Sequence, residues 1–127
     1  MEKIIISTDK APAAIGPYSQ GVRVGNMLFI SGQGSVNAIS GEFINDDVKK
    51  ATTQVLENIK AILEEAGCNL SHVVKTTIFL KDMNDFASMN EVYGTYFTER
   101  LPARSTIQAA RLPKDMLVEI EAIAILS

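Results

Sequence analysis

The chain has 127 residues, of which 46% are hydrophobic and 21% charged, a balance typical of globular rather than disordered proteins. Its net charge of −3 argues against a nucleic-acid partner bound through a broad basic surface. A single cysteine, Cys68, excludes an intramolecular disulfide, and with one histidine, His72, the chain lacks the ligand cluster of a zinc site.

Length and cysteine content also bound the domain count and the compartment. A chain of this size is predicted to form one domain, residues 1–127, with a proper core. Its apolar runs are far shorter than the roughly 20 residues that span a membrane, and the III run at 4–6 is too short for a secretory signal. A lone cysteine is typical of a reducing compartment, so we expect a cytoplasmic protein without membrane attachment.

A loop near the N-terminus carries the first candidate site residue. It follows a strand predicted at residues 3–7. In its sequence GPYSQG (16–21), a proline restrains the backbone while the two glycines free it. Two interpretations of Tyr18 stay open: it forms a pocket wall or hydrogen-bond donor, or it packs under the loop.

A hairpin and a glycine-rich segment come next. Residues 22–24 and 27–30 predict two strands joined by a Gly-Asn turn. The sequence SGQG (31–34) follows the second strand directly. Glycines at a strand end allow a ligand to approach the backbone closely, but no phosphate-loop pattern is present.

The middle of the chain predicts a long amphipathic helix followed by a strand. Asn45 or Asp46 is suited to cap the helix, and Gly67 to end it. Apolar residues between them repeat at helical spacing, which predicts packing against a sheet. Residues 73–81 are rich in β-branched and aromatic side chains and predict a strand.

A second helix is predicted after that strand, capped by Asn84 or Asp85. Its apolar face consists of Phe86, Met89, Tyr93 and Phe97. Asn90 falls inside this face, since residues four apart on a helix are neighbours. A buried amide must find a partner, so Asn90 either bonds nearby backbone or points into a polar site.

The C-terminal segment alternates like a strand. One face holds Met116, Val118, Ile120, Ala122, Ala124 and Leu126. The other face carries Glu119 and Glu121 among apolar residues. In the preceding extended segment, Arg104 and Thr106 share a face with Gln108.

An arginine and a glutamate fixed on apolar strands suggest a small site for a carboxylate-bearing ligand beside an acid/base group. A second interpretation is structural. Glu119 and Glu121 would then face solvent on a half-exposed sheet, and Arg104 would be a surface charge or an ion-pair partner.

The element order β-β-β-α-β-α-β-β predicts an α+β or mixed α/β fold with one six-stranded sheet and two helices on one face. The last strand is apolar on both sides. Two helices cover only one face of such a sheet. We therefore expect self-association through the uncovered face.

Seven segments together resemble the RidA/YjgF family of reactive-intermediate imine/enamine deaminases. They are AAIGPYSQG (13–21), SGQ (31–33), VKTT (74–77), KDMNDF (81–86), PARS (102–105), ARLPKD (110–115) and EIEAIA (119–124). The match runs in consistent order from about residue 7 to residue 126. A match of this extent is far more specific than any single motif in it.

The resemblance implies a chorismate-mutase-like fold and a homotrimer with active sites in clefts between subunits. It implies 2-aminoacrylate and related enamine or imine acids as substrates, with no cofactor and no metal. Arg104 matches the family's carboxylate-binding arginine, and Glu119 its water-positioning glutamate. The positions that match the pocket lining are Tyr18, Ser31, Gly32 and Asn90.

Thr106 also matches a substrate-binding position, but many members have cysteine there. The family's ligand is held at this position through backbone groups, so we expect little damage to binding. A thiol-based role is in doubt for this chain.

Two other functions are considered. The family is also associated with endoribonuclease activity and translation inhibition, and the acidic charge counts against that. A non-enzymatic module that binds small carboxylates would keep Arg104 but would not need Glu119.

The geometry of the last two strands is open. Paired as a hairpin about residues 113–115, they would hold Arg104 about five residues from Glu119, or on the order of 16 Å. Either the strands are not paired so, or the site is completed across a subunit boundary.

Overall fold

Six strands form one mixed sheet in the computed structural model, which describes residues 1–126. The strands are β1 (Lys3–Ile6), β2 (Gly21–Val24), β3 (Met27–Gln33), β4 (Val73–Leu80), β5 (Ala103–Gln108) and β6 (Val118–Ile125). They lie in the order β1-β2-β3-β6-β4-β5. Neighbours run antiparallel, except that β4 and β5 are parallel.

Two helices, α1 (Val48–Glu65) and α2 (Phe86–Tyr96), cover one face of this sheet. Val55, Ile59 and Ile62 of α1 are fully buried against the sheet, as the apolar periodicity predicts. The prediction of an α+β sheet with two helices on one face is confirmed. Among residues 1–126, no helix has the length and apolar character to cross a membrane.

The start of α1 differs from the prediction. Asp47, rather than Asn45 or Asp46, is the N-cap, and its Oδ1 accepts hydrogen bonds from the amides of Lys49 (2.7 Å) and Lys50 (3.3 Å). The side chain of Asn45 is occupied elsewhere, since it bonds backbone groups near the start of β6. The predicted end of the helix is confirmed, because Gly67 has the left-handed φ of 81° that a C′ glycine adopts.

The start of α2 agrees with the prediction in position but not in capping. Asp85 occupies the N-cap position but makes no capping hydrogen bond with its side chain. A short 3-10 turn, Met83–Asp85, precedes the helix, and Asp82 caps that turn by accepting from the Asn84 amide at 2.9 Å. The capping side chain therefore lies at least two residues before the predicted ones.

β6 alternates as its sequence predicts. Val118, Ile120, Ala122 and Ala124 are buried under the helices. Glu119 and Ile123 point to the opposite side, which we call the open face. Apolar side chains exposed on the open face include Ile5 (53%), Phe29 (41%) and Ile107 (48%). The expectation that the helices leave one face of the sheet uncovered is confirmed for the protomer.

The last two strands do not form a hairpin. β4 lies between them, parallel to β5 and antiparallel to β6. Parallel neighbours need a crossover connection, and α2 supplies it. Arg104 consequently lies level with Thr76 and Ala122, on the helix side of the sheet.

The capping role of Asp47 is testable. We expect Asp47→Ala to lower the free energy of unfolding by about 1 kcal/mol, since two amides at the helix start lose their acceptor. Asp46→Ala is the matched control, because Asp46 makes only an exposed ion pair with Lys50. Denaturant unfolding of both variants checks this; an equal loss for the two would contradict the assignment.

Candidate active site

Glu119 packs tightly against the end of β3. A Cβ added to Gly32 would lie 2.8 Å from the carboxyl carbon of Glu119, closer than real contacts allow. The strand bulges here, since two residues of β3 lie between Ile30 and Gln33 opposite a single residue of β6. The glycine therefore admits the Glu119 side chain against the backbone.

The environment of Glu119 suits an acid/base group. Burial raises the pKa of its carboxyl, and the negative charge of Glu121 raises that pKa further. Within residues 1–126 no cation forms a salt bridge with Glu119. A half-buried carboxyl with a raised pKa and without a counter-ion holds a proton more readily than an ordinary glutamate, as an acid/base group must.

Glu119 opens into a cavity of about 180 Å³ next to Gly32. Tyr18 lines the same cavity, so three of the predicted site residues are neighbours in space. Ser31 has a different contact: its hydroxyl donates to the carbonyl of Ser19 at 2.5 Å. That bond ties the loop that carries Tyr18 to β3.

Lys114 also lines this cavity, and the sequence patterns did not single it out. Lys114 and Asp115 both have positive φ, at 57° and 52°, which is strained for residues other than glycine. Asn45 restrains the turn: its Nδ2 donates to the Asp115 carbonyl (3.2 Å) and its Oδ1 accepts from the Leu117 amide (2.9 Å). This strained turn, which contains Lys114, forms one wall of the cavity.

Arg104 belongs to a second group of predicted residues, between β5 and α2. Its Nη1 donates to Oδ1 of Asn90 at 2.6 Å. Its guanidinium carbon lies 4.9 Å from the centre of the Tyr93 ring and 5.5 Å from that of Phe86. Among residues 1–126 no carboxylate forms a salt bridge with Arg104. The interpretation of Arg104 as an ion-pair partner within the chain is therefore wrong.

Asn90 and Thr106 complete the second group. Asn90 is exposed, not buried, because α2 leaves its side chain at the sheet edge beside Arg104. Thr106 lies two residues beyond Arg104 on the same face, and its hydroxyl oxygen is buried with no hydrogen-bond partner among the described residues.

The two groups lie on opposite faces of the sheet. Arg104 is level with Ala122 of β6, whereas Glu119 lies three residues further along that strand, roughly 10 Å away, and two strands across, roughly another 10 Å. Arg104 faces the helices, and Glu119 faces away from them. Within one protomer, the two side chains are not placed to contact one small ligand.

Among residues 1–126, no three His, Cys, Asp or Glu side chains are grouped so that they could hold a metal ion.

Comparison with known proteins assigns the chain to a family. A sequence profile described as Endoribonuclease L-PSP matches residues 8–126. The chain belongs to this family, also called RidA/YjgF. It is 58% identical over 122 residues to a RutC family protein of Pyrococcus horikoshii, covering 96% of this chain and 97% of the relative.

Two further members of the RidA/YjgF family have informative names. A protein of Escherichia coli K12 named 2-iminobutanoate/2-iminopropanoate deaminase is 54% identical over 123 residues, covering 94% of this chain and 95% of that protein. The crystal structure of E. coli TdcF with bound serine has a TM-score of 0.93 at 50% identity, covering 98% of this chain and 99% of that one.

The raised pKa of Glu119 makes folding stability depend on pH. The carboxyl is harder to ionise in the folded chain than in the unfolded chain, so its charge opposes folding at neutral pH. We expect Glu119→Gln to raise the melting temperature at pH 7. The gain should shrink as the pH falls through the raised pKa and vanish below the ordinary glutamate pKa, where both states are protonated.

Thermal melts across this pH range check the prediction. Glu65→Gln is the matched control, because Glu65 is exposed near the end of α1 and forms no salt bridge within residues 1–126. A gain for Glu119→Gln that is the same at all pH values would show that burial of the charge is not its cause.

Proposed function

We propose that this chain is a 2-iminobutanoate/2-iminopropanoate deaminase, which hydrolyses enamine and imine acids such as 2-aminoacrylate to 2-oxo acids and ammonia without a cofactor. One observation carries the proposal: Arg104 and Glu119 are both half-buried and both lack a counter-ion within residues 1–126. Those are the carboxylate-binding and the proton-transferring group that the reaction needs. The name of the E. coli relative supports the same activity.

The chemistry follows from these two groups. The guanidinium of Arg104 binds the substrate carboxylate through N–H donors that Asn90 does not use. The enamine tautomerises to an imine with an electrophilic C2. Glu119 takes a proton from water as the water oxygen bonds to C2, then gives a proton to the nitrogen of the tetrahedral adduct. A second transfer carries the hydroxyl proton of the adduct to the nitrogen, so that the C–N bond breaks, neutral ammonia leaves, and C2 becomes the carbonyl of the 2-oxo acid.

The two groups would meet between subunits of a homotrimer. Since Arg104 and Glu119 face opposite sides of the sheet, a complete site needs Arg104 from one copy and Glu119 from another. The apolar residues of the open face favour such an assembly, because burying apolar surface contributes about 25 cal/mol per Å² before the entropic cost of association is subtracted. Phe29 and Ile107 belong to that face.

Ribonuclease activity is the competing function that the family description suggests. Two observations count against it: the net charge is −3, and the single histidine, His72, uses its Nδ1 to accept from the Asn69 amide at 3.0 Å. A histidine held in a capping turn is poorly placed to act as a general base on RNA. We also propose a cytoplasmic location, since Cys68 is a free and buried thiol.

Catalysis by Glu119 is tested by Glu119→Gln, which keeps the shape of the side chain and removes the base. We expect 2-aminoacrylate turnover to fall about 10²- to 10⁴-fold, while 2-oxo acids still bind through Arg104. The measurement is 2-aminoacrylate decay beside calorimetric titration with 2-oxobutanoate.

Glu121→Gln is the control for that experiment, because Glu121 lies two residues away on the same strand and is exposed. Its turnover should stay close to that of the unmodified chain. Full turnover by Glu119→Gln would instead indicate a carboxylate-binding module without this chemistry.

Assembly gives a second test. We expect light scattering to give a mass of three times 13.8 kDa at micromolar concentration. Phe29→Glu places a charge on the open face, so it should dissociate the assembly and abolish turnover together. Monodisperse monomer from the unmodified chain would contradict both the trimer and a site between subunits.

A further inference from the structure

Arg104 rests on an aromatic surface that the proposed chemistry does not itself require. The guanidinium carbon is 4.9 Å from the centre of the Tyr93 ring, within the range of a cation–π interaction. Asn90 fixes one edge of the guanidinium by accepting from Nη1 at 2.6 Å. The group is thus held from below and from one side.

The Tyr93 ring is itself immobilised. Only 7% of the residue is exposed, and its hydroxyl is 2.7 Å from the hydroxyl oxygen of Thr76, which is fully buried. The ring also packs against Phe97, with ring centres 4.6 Å apart. Thr76 pairs with Arg104 in the β4–β5 ladder, so the anchor of the ring and the arginine belong to adjacent backbone positions.

A free arginine side chain loses rotamer entropy when it is held in one geometry. A ring locked beneath the guanidinium imposes that order before a ligand binds. The remaining N–H donors then face a carboxylate with little further ordering, which is preorganisation in the ordinary sense.

We infer that Tyr93 is a positioning residue for the carboxylate-binding guanidinium of Arg104, and this inference rests on the proposed function. Tyr93 acts through the face of its ring, and Thr76 acts by holding the ring's hydroxyl. Neither side chain touches the substrate. Tyr93 therefore affects how tightly 2-imino and 2-oxo acids bind, and it does not affect the proton transfers at C2.

Tyr93→Leu removes the ring and keeps an apolar side chain. Loss of a cation–π contact should weaken 2-oxobutanoate binding and raise KM for 2-aminoacrylate by about 2- to 30-fold. Because the carboxylate is held equally in the ground state and the transition state, kcat should change little. Tyr93→Phe keeps the ring and should restore most of the binding.

Tyr96→Leu is the matched control. Tyr96 is a tyrosine on the same helix, but its hydroxyl donates to Glu57 at 2.7 Å, and its ring makes no cation–π contact with Arg104. We expect its KM and 2-oxobutanoate affinity to match those of the unmodified chain. Equal losses in the two leucine variants would mean that Tyr93 acts only through general packing and would overturn the inference.

A second series removes the electrostatics of the ring without changing its shape, and serves if Tyr93→Leu does not fold. Tyr93→Phe is compared with analogues that carry one, two and three ring fluorines, which progressively weaken the ring quadrupole. Affinity for 2-oxobutanoate should fall stepwise along the series. Equal affinity for 2-oxobutanoate along the series, with normal turnover, would overturn only the inference about Tyr93. Affinity that depends on the ring, without 2-aminoacrylate turnover in the unmodified chain, would overturn the deaminase proposal and leave the positioning role of Tyr93 intact.

Discussion

Side chains along a β-strand alternate between two faces, and that alternation separates Arg104 from Glu119 within one chain. Arg104 faces the helix layer because it is in register with Thr76, which is buried there. Glu119 faces away because it follows Val118 and precedes Ile120, both buried under the helices. No rotamer change brings the two together, since the sheet itself lies between them.

This constraint links the assembly to the chemistry in the proposed function. The face that carries Glu119 also carries the exposed apolar side chains of Phe29 and Ile5. Covering those side chains with another copy would also enclose Glu119, and the proposed function requires that the Arg104 of another copy lies close to it. The raised pKa of Glu119 fits the same arrangement, because further burial in an interface would favour its protonated form more strongly.

Much of this fold, and part of the candidate site, can be predicted from the sequence. Period-two alternation placed Glu119 and Val118 on opposite faces of β6 correctly, since one side of that strand must be buried. The family resemblance predicts Gly32 as a site residue, and the structure supplies a physical reason: a Cβ there would lie 2.8 Å from the carboxyl carbon of Glu119, so the glutamate side chain would have to shift. The strand order is harder to predict from the sequence, because no residue near 113–115 excludes a hairpin between the last two strands. The signal was there in the strand–helix–strand succession ending at β5, which favours a parallel pair.

Long-range contacts account for what the sequence could not predict. Asn45 looked like a helix cap, but its amide bonds residues more than 70 positions away, and Asp47 caps the helix instead. Asn90 looked buried from its place among aromatic residues, yet it is exposed at a sheet edge. Both outcomes depend on which strand packs beneath which helix, and spacing within one element does not encode that.

Mixing of variant subunits tests whether each active site combines Arg104 of one copy with Glu119 of another. Arg104→Ala and Glu119→Gln each inactivate every site in a pure trimer if each site takes one residue from each of two copies. Unfolding the two variants together in equal amounts and refolding them produces mixed trimers. We expect 2-aminoacrylate turnover to return to about one quarter of the unmodified level, since about one site in four then combines two intact residues. Mixed trimers that stay as inactive as the parent variants would contradict a site shared between subunits.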